Sequence, residues 1–291
     1  MSLGGASVAA QAAGVLLMPV VTRLYAPDQI GILAVFTSYT LIISAIISLR
    51  YEVAIPLPRN EQKSMRLFIL AHVLSFSIST GGLLLLLASR ALPSGLLKTI
   101  PLSYLIAAYL MANLLSSFQI LKRWAARNDS YRAISTGTIL NRIVGIGAMI
   151  SFGLAGIRLA ITLLVSKLLG QAVANLRLWV SLKSTWPSGQ ISHSHLGLTA
   201  RLFSRYPRYS LPAALLNTAS IHIPVILLSV VFPSDVVGQF SITNLALGLP
   251  MTIVGQATGH ALYNRFIRAR REDRLTSQVR GFLAAFALLL T

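Results

Sequence analysis

Cysteine is absent from the 291-residue chain, and acidic side chains are scarce, with 7 Asp and Glu against 25 Lys and Arg. Without cysteine the chain forms no disulfide, no thiolate metal site and no cysteine nucleophile. The few acids form no paired carboxylates, and the sequence shows no nucleotide-binding loop. We therefore predict that the protein is not an enzyme and that it binds no cofactor or metal.

Charge as a whole is also scarce. Charged residues make up 11% of the chain and hydrophobic residues 55%, whereas about 25% of a soluble domain is charged. The apolar runs are long and do not alternate with polar residues, which favours helices over a β-barrel. The sequence predicts an all-α polytopic membrane protein. Basic loops then explain the net charge of +18 without a nucleic-acid partner.

A membrane-spanning helix needs about 20 mostly apolar residues. Eight segments reach that length: 3–22, 30–49, 67–89, 102–121, 133–152, 159–180, 210–232 and 238–262. A ninth begins near Gly281 and stops at Thr291, so we expect a truncated product or the front part of a longer protein. We predict an N-terminal six-helix lobe over 1–182, a cytoplasmic linker over 183–209, and over 210–291 the first two to three helices of a second, pseudo-symmetric lobe.

Lysine and arginine divide unevenly between the two sides of these spans. The loops after spans one, three, five and seven hold Arg23, Arg90, Lys98 and Arg158, and most other basic residues follow the even-numbered spans. Because basic loops stay in the cytoplasm, the N-terminus is predicted to be cytoplasmic.

One loop motif occurs twice. Asp28-Gln-Ile-Gly31 and Asp235-Val-Val-Gly238 each join the first two spans of a predicted lobe, on the same side of the membrane. Asp readily caps a helix and Gly permits close packing. Ordinary hairpin chemistry is one interpretation. The positions favour the other, a duplication that yields two parallel repeats, which is a transporter architecture.

The residues around these loops resemble a known family. "TRLYAPDQIG", "RYEVAIPLP" after span two, "RYPRYSLPAALLNTAS" and "GLPMTIVGQATGHALYNR" are similar to segments of the polysaccharide and O-antigen flippases of the multidrug/oligosaccharidyl-lipid/polysaccharide exporter superfamily. The resemblance implies two six-helix lobes around a central cavity. It also implies a bacterial cytoplasmic (inner) membrane, and as partners a lipid-linked oligosaccharide, membrane lipids and other polysaccharide-assembly membrane proteins.

Two cations fall within predicted spans. Arg142 lies about 14 Å from the cytoplasmic end of span five, and Lys167 about 12 Å from the outer end of span six. Both are therefore expected near the midplane, where such a charge costs about 3 kcal/mol and normally faces a cavity or a partner. One interpretation is snorkelling or bonding to helix carbonyls. The other is a cationic site for the phosphate of a lipid-linked sugar.

Three further residues are candidates. The resemblance implies a substrate-binding role for Arg23 at the outer mouth, and interfacial snorkelling is its alternative. Glu52 and Arg50 follow span two, and they are interpreted either as an ion pair or as gating or ion-coupling residues.

The sequence thus predicts transport of an undecaprenyl-pyrophosphate-linked oligosaccharide by alternating access, for O-antigen or other surface polysaccharide synthesis. The alternatives are a drug or cation antiporter of the same superfamily, which needs a carboxylate in its cavity, and a non-transporting truncated product. A membrane sugar polymerase or ligase would need a sizeable outer loop, and every predicted outer loop is short.

Overall fold

A computed structural model describes residues 17–91, 101–186 and 196–248. Every regular element in these ranges is helical, and six of the helices are long and apolar enough to cross a membrane. The all-α prediction is therefore confirmed. The chain divides into two compact units, Met1–Ile242 and Thr243–Thr291, and all contacts described below lie within the first.

The helices follow one another with short connections. They are α1 Met18–Leu24, α2 Pro27–Ile47, α3 Glu61–Ala91, α4 Leu102–Arg127, α5 Tyr131–Leu154, α6 Ala160–Leu182, α7 Leu196–Leu202, α8 Leu211–Val231 and α9 at 234–248, with 3-10 turns at Tyr51–Ala54 and Lys183–Thr185 and a π-helical turn at Tyr206–Ser210. Six predicted spans correspond to α2–α6 and α8. Several helices run further than predicted, because charged residues such as Glu61 and Arg127 continue a helix beyond its apolar part.

The first and eighth predicted spans are described in part. Of span 3–22 the structure describes the residues from 17 onward, and of span 238–262 those up to 248; the described parts are largely helical. The rest of both spans and the ninth segment near Gly281 lie outside the described residues.

Helices α5 and α6 pack antiparallel with their backbones close together. A Cβ atom added to Gly170 of α6 would lie 2.5 Å from the carbonyl oxygen of Asn141 on α5 and 3.0 Å from the Cα of Gly145. Small residues of this kind let helix backbones approach in a membrane, where packing and hydrogen bonds rather than hydrophobic exclusion hold helices together. This contact fixes the register between the two helices that carry Arg142 and Lys167.

Two apolar clusters fill the first unit, one near each end of the helices. The cluster at the basic end, where α2, α4 and α6 finish, is built around residues such as Phe68, Leu121, Trp124, Leu178 and Leu182. The cluster at the opposite end includes Val21, Tyr25, Ile30, Met149 and Leu163. The middle of α2, α5 and α6 lies between them.

A turn after α2 closes the basic end. Leu49 and Arg50 both adopt left-handed backbone conformations, with φ of 48° and 62°, which reverses the chain into the buried turn Tyr51–Ala54. Burial raises the pKa of the Tyr51 hydroxyl, which stays protonated and donates a hydrogen bond of 3.0 Å to the carbonyl of Ala200 in α7. Part of the predicted linker is thereby attached to the six-helix region.

Arg127 ties the same turn to the end of α4. Its guanidinium donates to the carbonyl oxygens of Pro58 at 2.5 Å and Arg59 at 3.4 Å. Those carbonyls belong to a segment without regular structure, so the arginine supplies the hydrogen bonds that a helix would supply itself.

We expect Arg127→Gln to lower the free energy of unfolding by about 1–3 kcal/mol, because it removes charged hydrogen bonds to main-chain acceptors. The melting temperature in detergent, followed by tryptophan fluorescence, measures the effect. Arg123→Gln is the matched control, since Arg123 lies on the same helix and is exposed. Equal melting temperatures for the two variants would contradict a structural role for Arg127.

Candidate anion-binding site

Lys167 and Arg142 lie at similar depth in the structure. The antiparallel register set by Gly145 and Gly170 separates them along the helix axes by about five residues, or about 7.5 Å. The charge of Arg142 acts on Lys167, so the two cations share one electrostatic environment. Lys167 is half-buried and Arg142 is exposed.

Lys167 reaches across to α2. Its ammonium group donates a hydrogen bond of 2.9 Å to the hydroxyl oxygen of Thr37. That hydroxyl in turn donates to the carbonyl of Leu33 at 2.7 Å, so its proton is committed and its oxygen is free to accept. Thr37 was missed by the sequence reasoning, since a lone threonine in an apolar helix usually bonds back to its own helix and gives no signal of a cross-helix partner.

No carboxylate is available to neutralise this pair among the described residues. The described acidic residues lie at helix starts or in turns: Asp28, Glu52, Glu61, Asp129 and Asp235. The ion pair that the described ranges contain joins Arg50 to Glu52 instead. A positive charge in the membrane interior is normally paired, so the surroundings of Lys167 and Arg142 favour an anionic ligand.

Next to Thr37, Ser38 contacts a different helix. Its hydroxyl lies 3.3 Å from the Nδ1 atom of His222 on α8, and the charge of Lys167 acts on that imidazole. Consecutive residues of α2 therefore contact both the six-helix region and the first helix of the predicted second lobe. The sequence showed His222 as an isolated histidine within a span and gave no indication of its partner.

Arg50 and Glu52 lie far from the two cations. The guanidinium of Arg50 pairs with the Glu52 carboxylate at 3.3 Å. This ion pair lies at the basic end, and Arg50 is about 18 Å from Ser38 along the direction of α2. Glu52 is buried, and its second oxygen has no hydrogen-bond partner within the described parts of the chain. This geometry favours the ion-pair interpretation, and a role in gating or ion coupling stays a prediction.

Arg23 lies at the other end of the molecule. It occupies the last turn of α1 and is exposed. The start of α2, which follows Arg23 closely in the chain, lies about 15 Å along the helix axis from Thr37. A cation in the last turn of a helix stabilises its C-terminal dipole. The structure thus places Lys167 and Arg142 at similar levels on neighbouring helices and leaves Arg23 separate from them.

The two copies of the Asp-x-x-Gly motif contact each other. A Cβ atom on Gly31 would overlap the carbonyl oxygen of Ser234, and one on Gly238 would overlap the carbonyl oxygen of Pro27. Ser234 and Pro27 each precede the Asp of their own motif, so the contact is reciprocal. A duplicated hairpin packed about a two-fold axis produces this pattern.

One detail of the sequence interpretation is wrong. Asp28 does not cap α2: the capping position is Ala26, which has no side-chain hydrogen bond to the helix, and Pro27 begins the helix. Asp28 lies in the first turn instead, where its negative charge stabilises the helix dipole. Proline is favoured at the first position of a helix, because an N–H at that position would have no acceptor within the helix. With Pro27 in this position, the cap lies two residues before Asp28.

Comparisons with known proteins add no assignment. No family model, no curated protein and no solved structure matches the chain. Within the described ranges, no group of three or more His, Cys, Asp or Glu side chains is arranged to hold a metal ion.

We expect Gly31→Ala and Gly238→Ala to lower the melting temperature, because each added methyl group would overlap a carbonyl oxygen of the other motif. Thermal unfolding in detergent measures the effect. Gly147→Ala is the control: a Cβ there meets nothing within 4 Å, and replacing a helical glycine by alanine stabilises by about 1 kcal/mol. A melting temperature that rises in all three variants would contradict the close contact.

Proposed function

We propose that the protein moves a lipid-linked oligosaccharide across the bacterial cytoplasmic membrane by alternating access. The observation that carries this proposal is the pair Lys167 and Arg142, which lies within the apolar helices α5 and α6 with no described carboxylate nearby. A ligand with a phosphate or pyrophosphate group would supply the missing negative charge.

The chemistry of the two side chains suits such a head group. An arginine guanidinium binds phosphate oxygens in bidentate fashion, and a lysine ammonium acts as a point charge. Lys167 donates to Thr37 through one of its three N–H groups, which leaves two for a ligand within the part of the chain that is described. In the two-lobe arrangement that the resemblance implies, the sugar would lie in the central cavity with the phosphates, and the lipid tail would lie in the bilayer.

Alternating access requires the two repeats to part and close again. In this proposal the two repeats separate on the outer side at the reciprocal contact of Gly31 and Gly238, where their backbones pack closely. The membrane potential, negative inside, favours outward movement of an anion by about 2.3 kcal/mol per charge per 100 mV. With a cytoplasmic N-terminus, the basic end would take up the ligand.

The residues that resemble polysaccharide and O-antigen flippases support the same proposal, because the resembling segments include Gly31 of the glycine contact and the turn after α2. The alternative within the superfamily, a drug or cation antiporter, needs an acid in its cavity, and the described acids lie at helix ends and turns. A non-transporting product is the remaining alternative, and a transport measurement decides it.

We expect Lys167→Gln and Arg142→Gln each to reduce lipid translocation at least tenfold, because each removes a charge that binds the head group. The measurement uses the full chain in proteoliposomes with a fluorescent undecaprenyl-pyrophosphoryl sugar, whose outer-leaflet fraction is bleached by dithionite. Arg177→Gln is the matched control, since Arg177 lies near the basic end of the same helix and bonds to Ser181. Undiminished translocation in both glutamine variants of the pair would exclude the proposed site, and a wild-type chain without translocation would exclude the function.

A further inference from the structure

His222 differs from the rest of α8 in chemistry. It is the one titratable residue between Leu211 and Val231, and it lies about 16 Å along the axis from the start of the helix. That depth matches the level of Thr37 on the neighbouring α2. A half-buried imidazole therefore lies at the level of Lys167, contributed by the helix that begins the predicted second lobe.

The hydrogen bond to Ser38 determines which ring nitrogen of His222 carries a proton. The Ser38 hydroxyl donates its proton to the carbonyl of Ala34 at 2.9 Å, and a hydroxyl has one proton to give. Its oxygen must therefore accept from the Nδ1–H of His222 across 3.3 Å. In the neutral ring, Nε2 then bears the free lone pair, and no described residue is bonded to it.

His72 provides the contrast within the same chain. Its Nδ1 lies 3.0 Å from the carbonyl of Phe68, and its Nε2 lies 3.3 Å from the hydroxyl of Ser117. Both ring nitrogens are therefore engaged within the six-helix region, and neither is open to a ligand. His72 has the bonding pattern of a structural histidine, and His222 does not.

Among the described residues, the charges at the depth of His222 are all positive. Lys167 is the charged group of α6 that acts on it, and Arg142 acts on Lys167 in turn. The titratable residues of α2 are Tyr39 and, at the end opposite the basic end, Asp28. Those of the π-helical turn before α8 are Tyr206, Arg208 and Tyr209, which lie at the basic end. A second proton on the ring therefore needs an anion to compensate it.

We propose that His222 is the α8 ligand for the anionic head group and binds it as an imidazolium, so that each bound anion takes up one proton from solution. The proposal rests on the proposed function above. The proton adds to the Nε2 lone pair, no other bond changes, and the new N–H donates to a phosphate oxygen. The head group is then held between Lys167 of α6 and His222 of α8, which spans the two predicted lobes.

Proton and ligand binding are then linked. A ligand that binds the protonated form more tightly must also favour proton uptake, so its affinity rises as the pH falls. The linkage of one proton sets an upper limit of about tenfold in affinity per pH unit. Histidine is the side chain whose ordinary pKa, about 6.5, places this change near neutral pH.

The test is the proton uptake that accompanies binding. The probe is geranyl pyrophosphoryl glucose, whose pyrophosphate is esterified at both ends and so does not itself titrate near neutral pH. Titration calorimetry of the full chain in two buffers of different ionisation enthalpy counts the protons. We expect wild-type protein to take up about one proton per bound probe, and its affinity to rise at least fivefold from about pH 8 to about pH 6.

Two substitutions separate the two ring nitrogens. In His222→Asn, the side-chain amide can still donate a hydrogen bond to Ser38 but does not titrate. In His222→Gln, the longer side chain places a neutral N–H donor near the position of Nε2. Both variants are expected to lose the proton uptake and the pH dependence of binding. If one variant does not fold, the other still tests the proposal. His72→Gln is the control and is expected to keep both.

Each outcome bears on one claim. A wild-type chain that binds the probe without proton uptake, or a His222 variant with undiminished uptake, would overturn the role of His222 and leave the proposed function standing. A wild-type chain that binds no probe at either pH would overturn the proposed function itself.

Discussion

The hydrogen bond from Lys167 to Thr37 joins α6 to α2 and holds an ammonium group away from the helix ends, and the candidate site is built around it. The contact is 2.9 Å long and lies between two apolar clusters, one near each end of the helices. A charge in this position costs free energy unless a partner compensates it. The described residues supply a hydroxyl and a second cation, and no carboxylate. In our proposal, an anion from outside the protein completes the site.

Helix α2 is the element that relates this site to the rest of the chain. Its middle contacts Lys167 through Thr37 and His222 through Ser38, and its start contacts the second Asp-x-x-Gly motif through Gly31. A joint movement of α8 and the second motif relative to α2 would change the Ser38–His222 contact and the glycine contact together. Our proposal of alternating access requires coupling of this kind.

Much of the fold was predictable from the sequence, because long apolar runs with charged ends specify helices that cross a membrane. The depth of Arg142 and Lys167 also followed from counting residues along their helices. The partners did not, because Thr37, Ser38 and His222 are single polar residues whose cross-helix contacts depend on helix rotation. The predicted capping position was wrong by two residues, because Pro27 begins the helix and Ala26 is the cap. The motif alone does not show that Pro27, rather than Asp28, determines where the helix begins. The reciprocal glycine contact is a consequence of tertiary packing that the repeat made plausible and only the structure displays.

The central claim, an uncompensated positive charge beside α2, is tested most directly by the reactivity of a cysteine in the otherwise cysteine-free chain. The measurement compares the rates at which Thr37→Cys reacts with an anionic and a cationic methanethiosulfonate reagent, with Ser44→Cys on the same helix as the reference. The account predicts that the ratio of the anionic to the cationic reaction rate is about tenfold higher at position 37 than at position 44, which corresponds to an electrostatic free-energy difference of about 1.4 kcal/mol. It also predicts that Lys167→Gln abolishes this preference. A cationic reagent that reacts equally fast or faster at position 37 would contradict it.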